Sequence, residues 1–214
     1  MANTQKEEGR RLKRERLSKL SKVLPWMLII GGIIGIICSL VLIHDQIELW
    51  KNPGFHPACN LNPIVNCGTV IDSKQGEILG FPAPFLGMLA FPALVTVGVA
   101  ILAGAKFKRW FWQLMELAAA GGVVFALWLF WLSLYKIHAL CPFCLTVDAV
   151  VYILFWYLTL FVIREGHVTL PTKLRKAGEF SERHHLDILL FWFLLLIAYI
   201  LQHFWYYFGQ HLPF

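Results

Sequence analysis

Residues 141–163 read CPFCLTVDAVVYILFWYLTLFVI, and the fold turns on whether this run is a buried soluble helix or a membrane crossing. As a helix rising 1.5 Å per residue it reaches about 35 Å, enough for a hydrocarbon core of about 30 Å. Its only charged residue is Asp148. Four further stretches have similar length and polarity: Leu24 to Ile43, Phe81 to Ala105, Trp110 to Tyr135 and Ile188 to Gly209. Of these, only the stretch from Trp110 holds a charge, Glu116. A chain with 58% hydrophobic residues, nine Trp and a mean hydropathy of +0.62 lies far from soluble composition. In lipid only helices or closed barrels satisfy the backbone, and the alternating pattern of a barrel is absent. The sequence therefore specifies an all-α membrane protein with five transmembrane helices.

The first apolar stretch follows a basic region, as a signal peptide would, yet it is too long. The HDQIE after it offers no small-residue cleavage site, so it is expected to stay as an anchor. Orientation follows from Lys and Arg on alternate sides of the five stretches. The amino-terminal tail has eight, residues 106–109 have three, and residues 164–183 have five, against only Lys51, Lys74 and Lys136 on the other side. This places the amino terminus in the cytoplasm and the carboxyl terminus outside, in a cell inner or plasma membrane. The basic tail abuts a membrane helix, so it reads as a topology signal rather than a nucleic-acid contact.

Four of the five cysteines fall on the outer, oxidising side. Cys59 and Cys67 lie in the connection 44–80, and Cys141 and Cys144 open the fourth helix. Cys38, inside the first helix near Gly31, Gly32 and Gly35, reads as a small packing residue. Cys141 and Cys144, three apart, share a helix face. Amides and the dipole at a helix start favour a thiolate, and Pro142 suits a first-turn position whose N–H would go unpaired. Such a thiolate attacks and leaves readily, which suits repeated exchange. Lys136 and His138 just upstream read as interfacial flanking residues.

Three readings of the four cysteines compete. A closed zinc site needs four ligands, and C-x7-C with C-x-x-C is an atypical spacing. A fixed disulfide staple explains the loop pair but leaves the helix-start pair without a reason. A relay in which one pair exchanges with the other explains both, and is favoured. Its electrons need an acceptor, and no Rossmann glycine pattern, P-loop, haem C-x-x-C-H or H-E-x-x-H is present. A membrane quinone is the simplest candidate.

The run CNLNPIVNCGTVIDSKQGEILGFP at 59–82, followed downstream by ALCPFC at 139–144, resembles the vitamin K epoxide reductase family in its bacterial branch, over about residues 24–165. The resemblance implies that the first four transmembrane helices form a bundle around a quinone, ubiquinone or menaquinone, with no metal or nucleotide. It implies Cys141 and Cys144 as active site and Cys59 and Cys67 as shuttle, with Cys144 facing the quinone. Ser73 matches the family's Ser or Thr near that site. A short interfacial helix is expected over about Asp72 to Leu79. The implied reaction is oxidation of a thioredoxin-fold partner, a DsbA-like thiol oxidase outside the membrane, with quinone reduced to quinol. Many bacterial members carry a fused thioredoxin-like domain after the fifth helix. Only Gln210 to Phe214 follow it here, so a separate partner is expected.

The chain is thus expected to comprise a basic tail (1–22), a vitamin K epoxide reductase-like bundle (23–165) with its shuttle loop (44–80), a cytoplasmic loop (166–185), and a fifth helix with a short tail (186–214). Two positions depart from animal members: Ala83 stands where they have Asn, and Asp148 where they have Tyr. Ala83 and Asp148 are placed with Ser73 in the quinone vicinity, and the two departures point to plain quinone reduction rather than epoxide reduction. Asp148, one turn beyond Cys144, is a candidate proton route to the quinone or a neutral carboxyl held by a neighbouring helix. Glu116 is expected to snorkel toward Lys108 and Arg109, Pro82, Pro84 and Pro92 to bend the second helix, and His203 to belong to an aromatic belt. The rival readings are a vitamin K epoxide reductase proper and a non-enzymatic metal-binding membrane protein.

Overall fold

The computed structural model describes residues 2–52, 54–62, 64–71, 73, 77–78, 81–165 and 184–205, with backbone alone for residues 2–21, 77–78, 81 and 185. Its elements are α1 (Ala2–Lys51), α2 (Cys67–Ile71), β1 (Glu77–Ile78), β2 (Phe81–Pro82), α3 (Ala83–Leu102), α4 (Arg109–Leu132) followed by a π-helical turn (Ser133–Ile137), α5 (Pro142–Arg164) and α6 (His185–His203). Five helical spans among the described residues are long and apolar enough to cross a membrane: Lys22–Lys51, Ala83–Leu102, Arg109–Ile137, Pro142–Arg164 and Leu186–His203. The protein is an all-α membrane protein, as its composition requires.

Helix α1 is the axis of the bundle, packing along α3 and α5, while α4 packs against α5. The α1–α3 contact is close because glycines line it. A Cβ on Gly98 would stand 2.9 Å from the Pro25 carbonyl oxygen, and one on Gly32 would stand 3.1 Å from that of Phe91. In lipid, where burying apolar surface gives no advantage, small residues draw helices together by letting their backbones approach. One apolar core, centred on Leu24, Leu28, Phe91, Trp112, Leu158 and Val162, closes the bundle at the end where α4 starts and α5 stops. At the opposite end stand two further clusters, one built around the cysteines and one around Ile64, Phe130, Leu134, Leu140 and Phe204. Helix α6 lies outside the bundle, tied to it near its own carboxyl end, where Tyr135 and Tyr199 share a hydrogen bond and His203 Nε2 meets the Leu134 carbonyl oxygen at 2.9 Å.

Several local expectations are corrected. The short helix of the outer connection forms at Cys67–Ile71, ahead of the expected 72–79, and Glu77–Ile78 pair antiparallel with Phe81–Pro82. Residues 72, 74–76 and 79 lie outside the described ones. Asn66 supplies the reason for the earlier start: its Oδ1 accepts from Thr69 N at 3.0 Å, capping a helix that begins at Cys67. Of the three prolines, Pro82 is the N-cap of α3, Pro84 sits in its first turn where no N–H is missed, and only Pro92 is interior. The Thr96 hydroxyl donates to the Pro92 carbonyl oxygen at 2.8 Å. His203 packs among aromatic rings, against Tyr135 and Phe204, and also joins helices: a carbonyl only accepts, so its Nε2 carries the hydrogen. The connection expected at 166–185 falls outside the described residues except for its last two.

Candidate functional site

The site begins where α5 does. Cys141 is its N-cap in extended conformation with Pro142 in the first turn, and Cys141 Sγ accepts from Cys144 N at 3.3 Å. The chain reaches this point by a reversal at His138, a non-glycine residue at φ 57. There the π-helical turn ends and residues 139–141 run back along the outer connection. Left-handed backbone costs an L-residue of this kind about 1–2 kcal/mol, and the cost is met by what the reversal allows. Leu140 N donates to Ile64 O at 2.7 Å, Asn66 N donates to Leu140 O at 3.0 Å, and Val65 and Leu140 form a parallel bridge. The loop that carries one cysteine pair is thus stitched by backbone to the residue that precedes the other pair.

The loop is shaped by its asparagines. Asn62 Oδ1 accepts from Ile64 N at 3.0 Å and from Val65 N at 2.7 Å, and Asn60 Oδ1 accepts from Gly68 N at 3.0 Å. Short amide side chains that bond their own backbone fix tight turns without a regular element. Between them Cys59 and Cys67 are joined as a disulfide with Cα atoms 5.7 Å apart. Cys67 is fully buried, and Cys59, Cys67 and Cys141 belong to one apolar cluster with Leu42 and Ile71, against which Cys144 also packs. Cys141 and Cys144 are free thiols. The Cys141 thiol is held below the usual thiol range, chiefly by the hydrogen bond from the Cys144 thiol. The amides of Cys144 and Phe143 act in the same direction, against burial and the charge of Asp148. A four-thiolate zinc site would need Cys59 and Cys67 as thiolates, whereas here their sulfurs are spent on each other.

Behind the cysteines lies a cavity of about 620 Å³, walled by α1, α3, α4 and α5. All three residues expected beside a quinone, Ser73, Ala83 and Asp148, line it together with Cys141 and Cys144. Ser73 is tied down locally, its hydroxyl donating to Val70 O at 2.7 Å. The Asp148 side chain, one turn inside Cys144, is 9% exposed. Two buried polar lining residues went unread in the sequence. Ser39 is 2% exposed, and Gln46, whose Nε2 donates to Ile71 O at 3.5 Å, is 4% exposed. The available signal was their spacing: with Leu42 they fall at i, i+3 and i+7 on α1, a polar trace on an inward face. Cys38 is buried and free, and lies apart from the lining.

Apart from these polar side chains and Ser133, the cavity wall is apolar, and α3 and α4 barely touch along it. Small residues, Ala90 and Ala93 on α3 with Ala118 and Gly122 on α4, flank the gap. An apolar chamber of this size with a lateral cleft accepts a flat aromatic head and lets an apolar tail run out into lipid. Among the described residues no three His, Cys, Asp or Glu groups come together as a metal set. The profile described as the vitamin K epoxide reductase family matches residues 26–159, which hold the bundle, the loop and all four site cysteines. No curated protein matches the chain.

Proposed function

The chain belongs to the vitamin K epoxide reductase family of quinone-linked oxidoreductases, and from this we propose that it is a thiol:quinone oxidoreductase that generates disulfides in proteins outside the membrane. The observation that carries the reading is the stitched loop: a disulfide-bonded cysteine pair held by backbone hydrogen bonds against the residue preceding Cys141, at the mouth of a cavity that Cys144 lines. A relay requires this arrangement, and a staple does not.

A thiolate of a thioredoxin-fold partner attacks the Cys59–Cys67 disulfide. The partner's second thiol resolves the mixed disulfide, leaving the partner oxidised and the loop with two thiols. One loop thiolate then attacks Cys141 of a Cys141–Cys144 disulfide and expels the Cys144 thiolate. The other loop thiol closes Cys59–Cys67 and frees Cys141. Loop oxidised and helix pair reduced is the pairing seen here, and it is the state ready to pass electrons inward. Cys144 delivers two electrons to the quinone as Cys141 closes the disulfide again, and two protons convert quinone to quinol. The hydrogen bond from the Cys144 thiol, helped by the helix-start amides, keeps Cys141 a competent thiolate and leaving group. Ser39 and Gln46 offer polar contacts in a mostly apolar chamber, while Ala83 leaves room for a ring. Asp148 is positioned to hold a proton beside the ring: an ionised carboxylate is far costlier in apolar surroundings than a protonated one.

The charge distribution supports a cytoplasmic Arg109 and Arg164 end with the cysteines outside, where exported proteins acquire disulfides. The test uses purified protein with a reduced thioredoxin-fold oxidase and ubiquinone or menaquinone analogues. Thiol-dependent quinone reduction is expected with one of them. Cys144→Ser abolishes it, while Cys59→Ser and Cys67→Ser retain turnover with dithiothreitol. Folded protein that reduces neither quinone refutes the assignment.

A further inference from the structure

Three buried polar atoms take no part in this chemistry. Glu116 Oε2, Tyr152 OH and Trp156 Nε1 are sealed from the surface without a hydrogen-bond partner among the described residues. Protein interiors leave such groups unpaired only with a reason, and these three are not scattered. On α5, Asp148, Tyr152 and Trp156 follow at four-residue steps and Thr159 comes three later, so all four stand on one side of the helix. Each four-residue step rises about 6 Å and the last about 4.5 Å. A water making two hydrogen bonds of about 2.9 Å spans about 6 Å, the scale of one such backbone step. At one end of the strip Asp148 faces the cavity. At the other, Thr159 Oγ1 donates to Glu116 Oε1 at 2.6 Å and to Phe155 O at 2.8 Å. A hydroxyl has one proton, so both bonds are made together only when Glu116 brings a proton of its own. Glu116 thus turns to Thr159 and not, as its position suggested, outward to the basic end. The ring of Trp192 on α6 stands perpendicular to that of Tyr152, their centroids 6.1 Å apart.

We propose that Glu116, Thr159 and Tyr152, with water held between Glu116 Oε2, Trp156 Nε1 and Tyr152 OH, form a proton path from the Arg109 and Arg164 end of the bundle to Asp148 at the cavity. The inference rests on the quinone-linked reading above. Oxidation of the partner dithiol releases two electrons and two protons at the cysteine end. The two electrons pass through the cysteines to the quinone. The two protons that complete quinol come along the path from the opposite end, and those released by the dithiol stay outside. Each turnover therefore separates charge across the membrane, where proton uptake from the cysteine side would separate none.

The protein is reconstituted in anaerobic lipid vesicles with a pH dye trapped inside and a short-chain quinone in the bilayer. A reduced thioredoxin-fold protein added outside cannot cross, so only molecules with outward cysteines turn over. The lumen is expected to lose two protons per quinol formed. Glu116→Gln and, as a near-isosteric second variant, Tyr152→Phe lower the initial rate of lumen proton uptake at least about tenfold, the scale of a lost proton-transfer group. Quinol formation with an unchanged lumen pH in the unmutated protein overturns the path and leaves the quinone-linked function standing. Folded protein that forms no quinol overturns both. An independent readout needs no quinone: the infrared carboxyl band lost in Glu116→Gln shifts promptly in heavy water if water reaches Glu116. A band that resists exchange for hours refutes the path.

Discussion

Replacing Asn62 by Ala removes a side chain that accepts two backbone hydrogen bonds in the outer loop, from Ile64 N at 3.0 Å and Val65 N at 2.7 Å. Those amides belong to the segment whose neighbours, Ile64 O and Asn66 N, hold Leu140. At a net 0.5–1.5 kcal/mol each, the loss is about 1–3 kcal/mol of loop docking. With each 1.4 kcal/mol a factor of ten, the undocked fraction rises roughly 5- to 150-fold. Cys59 and Cys67 are 7% and 0% exposed, so a reductant must wait for the loop to open, and its rate follows the open population when closing is fast. The assay is reduction of the Cys59–Cys67 disulfide by dithiothreitol, quenched with acid and read by thiol mass-tagging, in a Cys141→Ser, Cys144→Ser background. Asn62→Ala should be reduced roughly 5- to 150-fold faster than its parent. Asn62→Asp keeps an acceptor oxygen and should stay near the parental rate. If both variants were reduced at one rate, fast or slow, the Asn62 hydrogen bonds would not be what docks the loop.

Two other expectations bear on the helix start and the bundle. Cys141, with its ionisation depressed chiefly by the Cys144 thiol, should exchange with a small apolar disulfide faster near neutral pH than an ordinary thiol does. The rate should fall only as pH drops through that lowered value, where the thiolate is lost. Cys144→Ala, lacking the donor, should move the midpoint up toward the ordinary thiol range, and an unmoved midpoint refutes the cause. Gly98→Ala places a Cβ 2.8 Å from Ile29 Cγ1 and 2.9 Å from the Pro25 carbonyl oxygen, and should lower stability by about 1–3 kcal/mol. Gly121→Ala meets nothing within 4 Å and should raise it by about 0.5–1 kcal/mol. Thermal scans in detergent that rank the two equally would contradict the close α1–α3 contact.

The five crossings and the Cys141 helix start were readable because each is local. A run of some twenty apolar residues has one stable form in lipid, and C-P-x-C carries its own cap and first-turn proline. The cysteine pairing was readable only in part. Two pairs on one face suggested exchange, and it took the Val65–Leu140 bridge to bring the loop onto the helix start.

Where partners are distant in sequence, composition was silent or misleading. Glu116 lies one to two turns from a basic helix end, which argues for snorkelling, yet its hydroxyl partner is 43 residues away on another helix. His203 read only as a belt residue because nothing local marks Leu134, 69 residues earlier, as its acceptor. Ser39 and Gln46 became cavity residues only once α1 was set against α3 and α5. Asp148 was named from the sequence, but its meaning depends on a strip of unpaired polar atoms that exists only when α4, α5 and α6 are packed. The sequence alone determined that the chain crosses the membrane and where its thiols begin a helix, because hydrophobic length and helix-start chemistry act over one segment at a time. Tertiary structure decided which polar groups meet across helices, because in an apolar medium a hydrogen-bonding atom is defined by the neighbour that satisfies it, or by the lack of one.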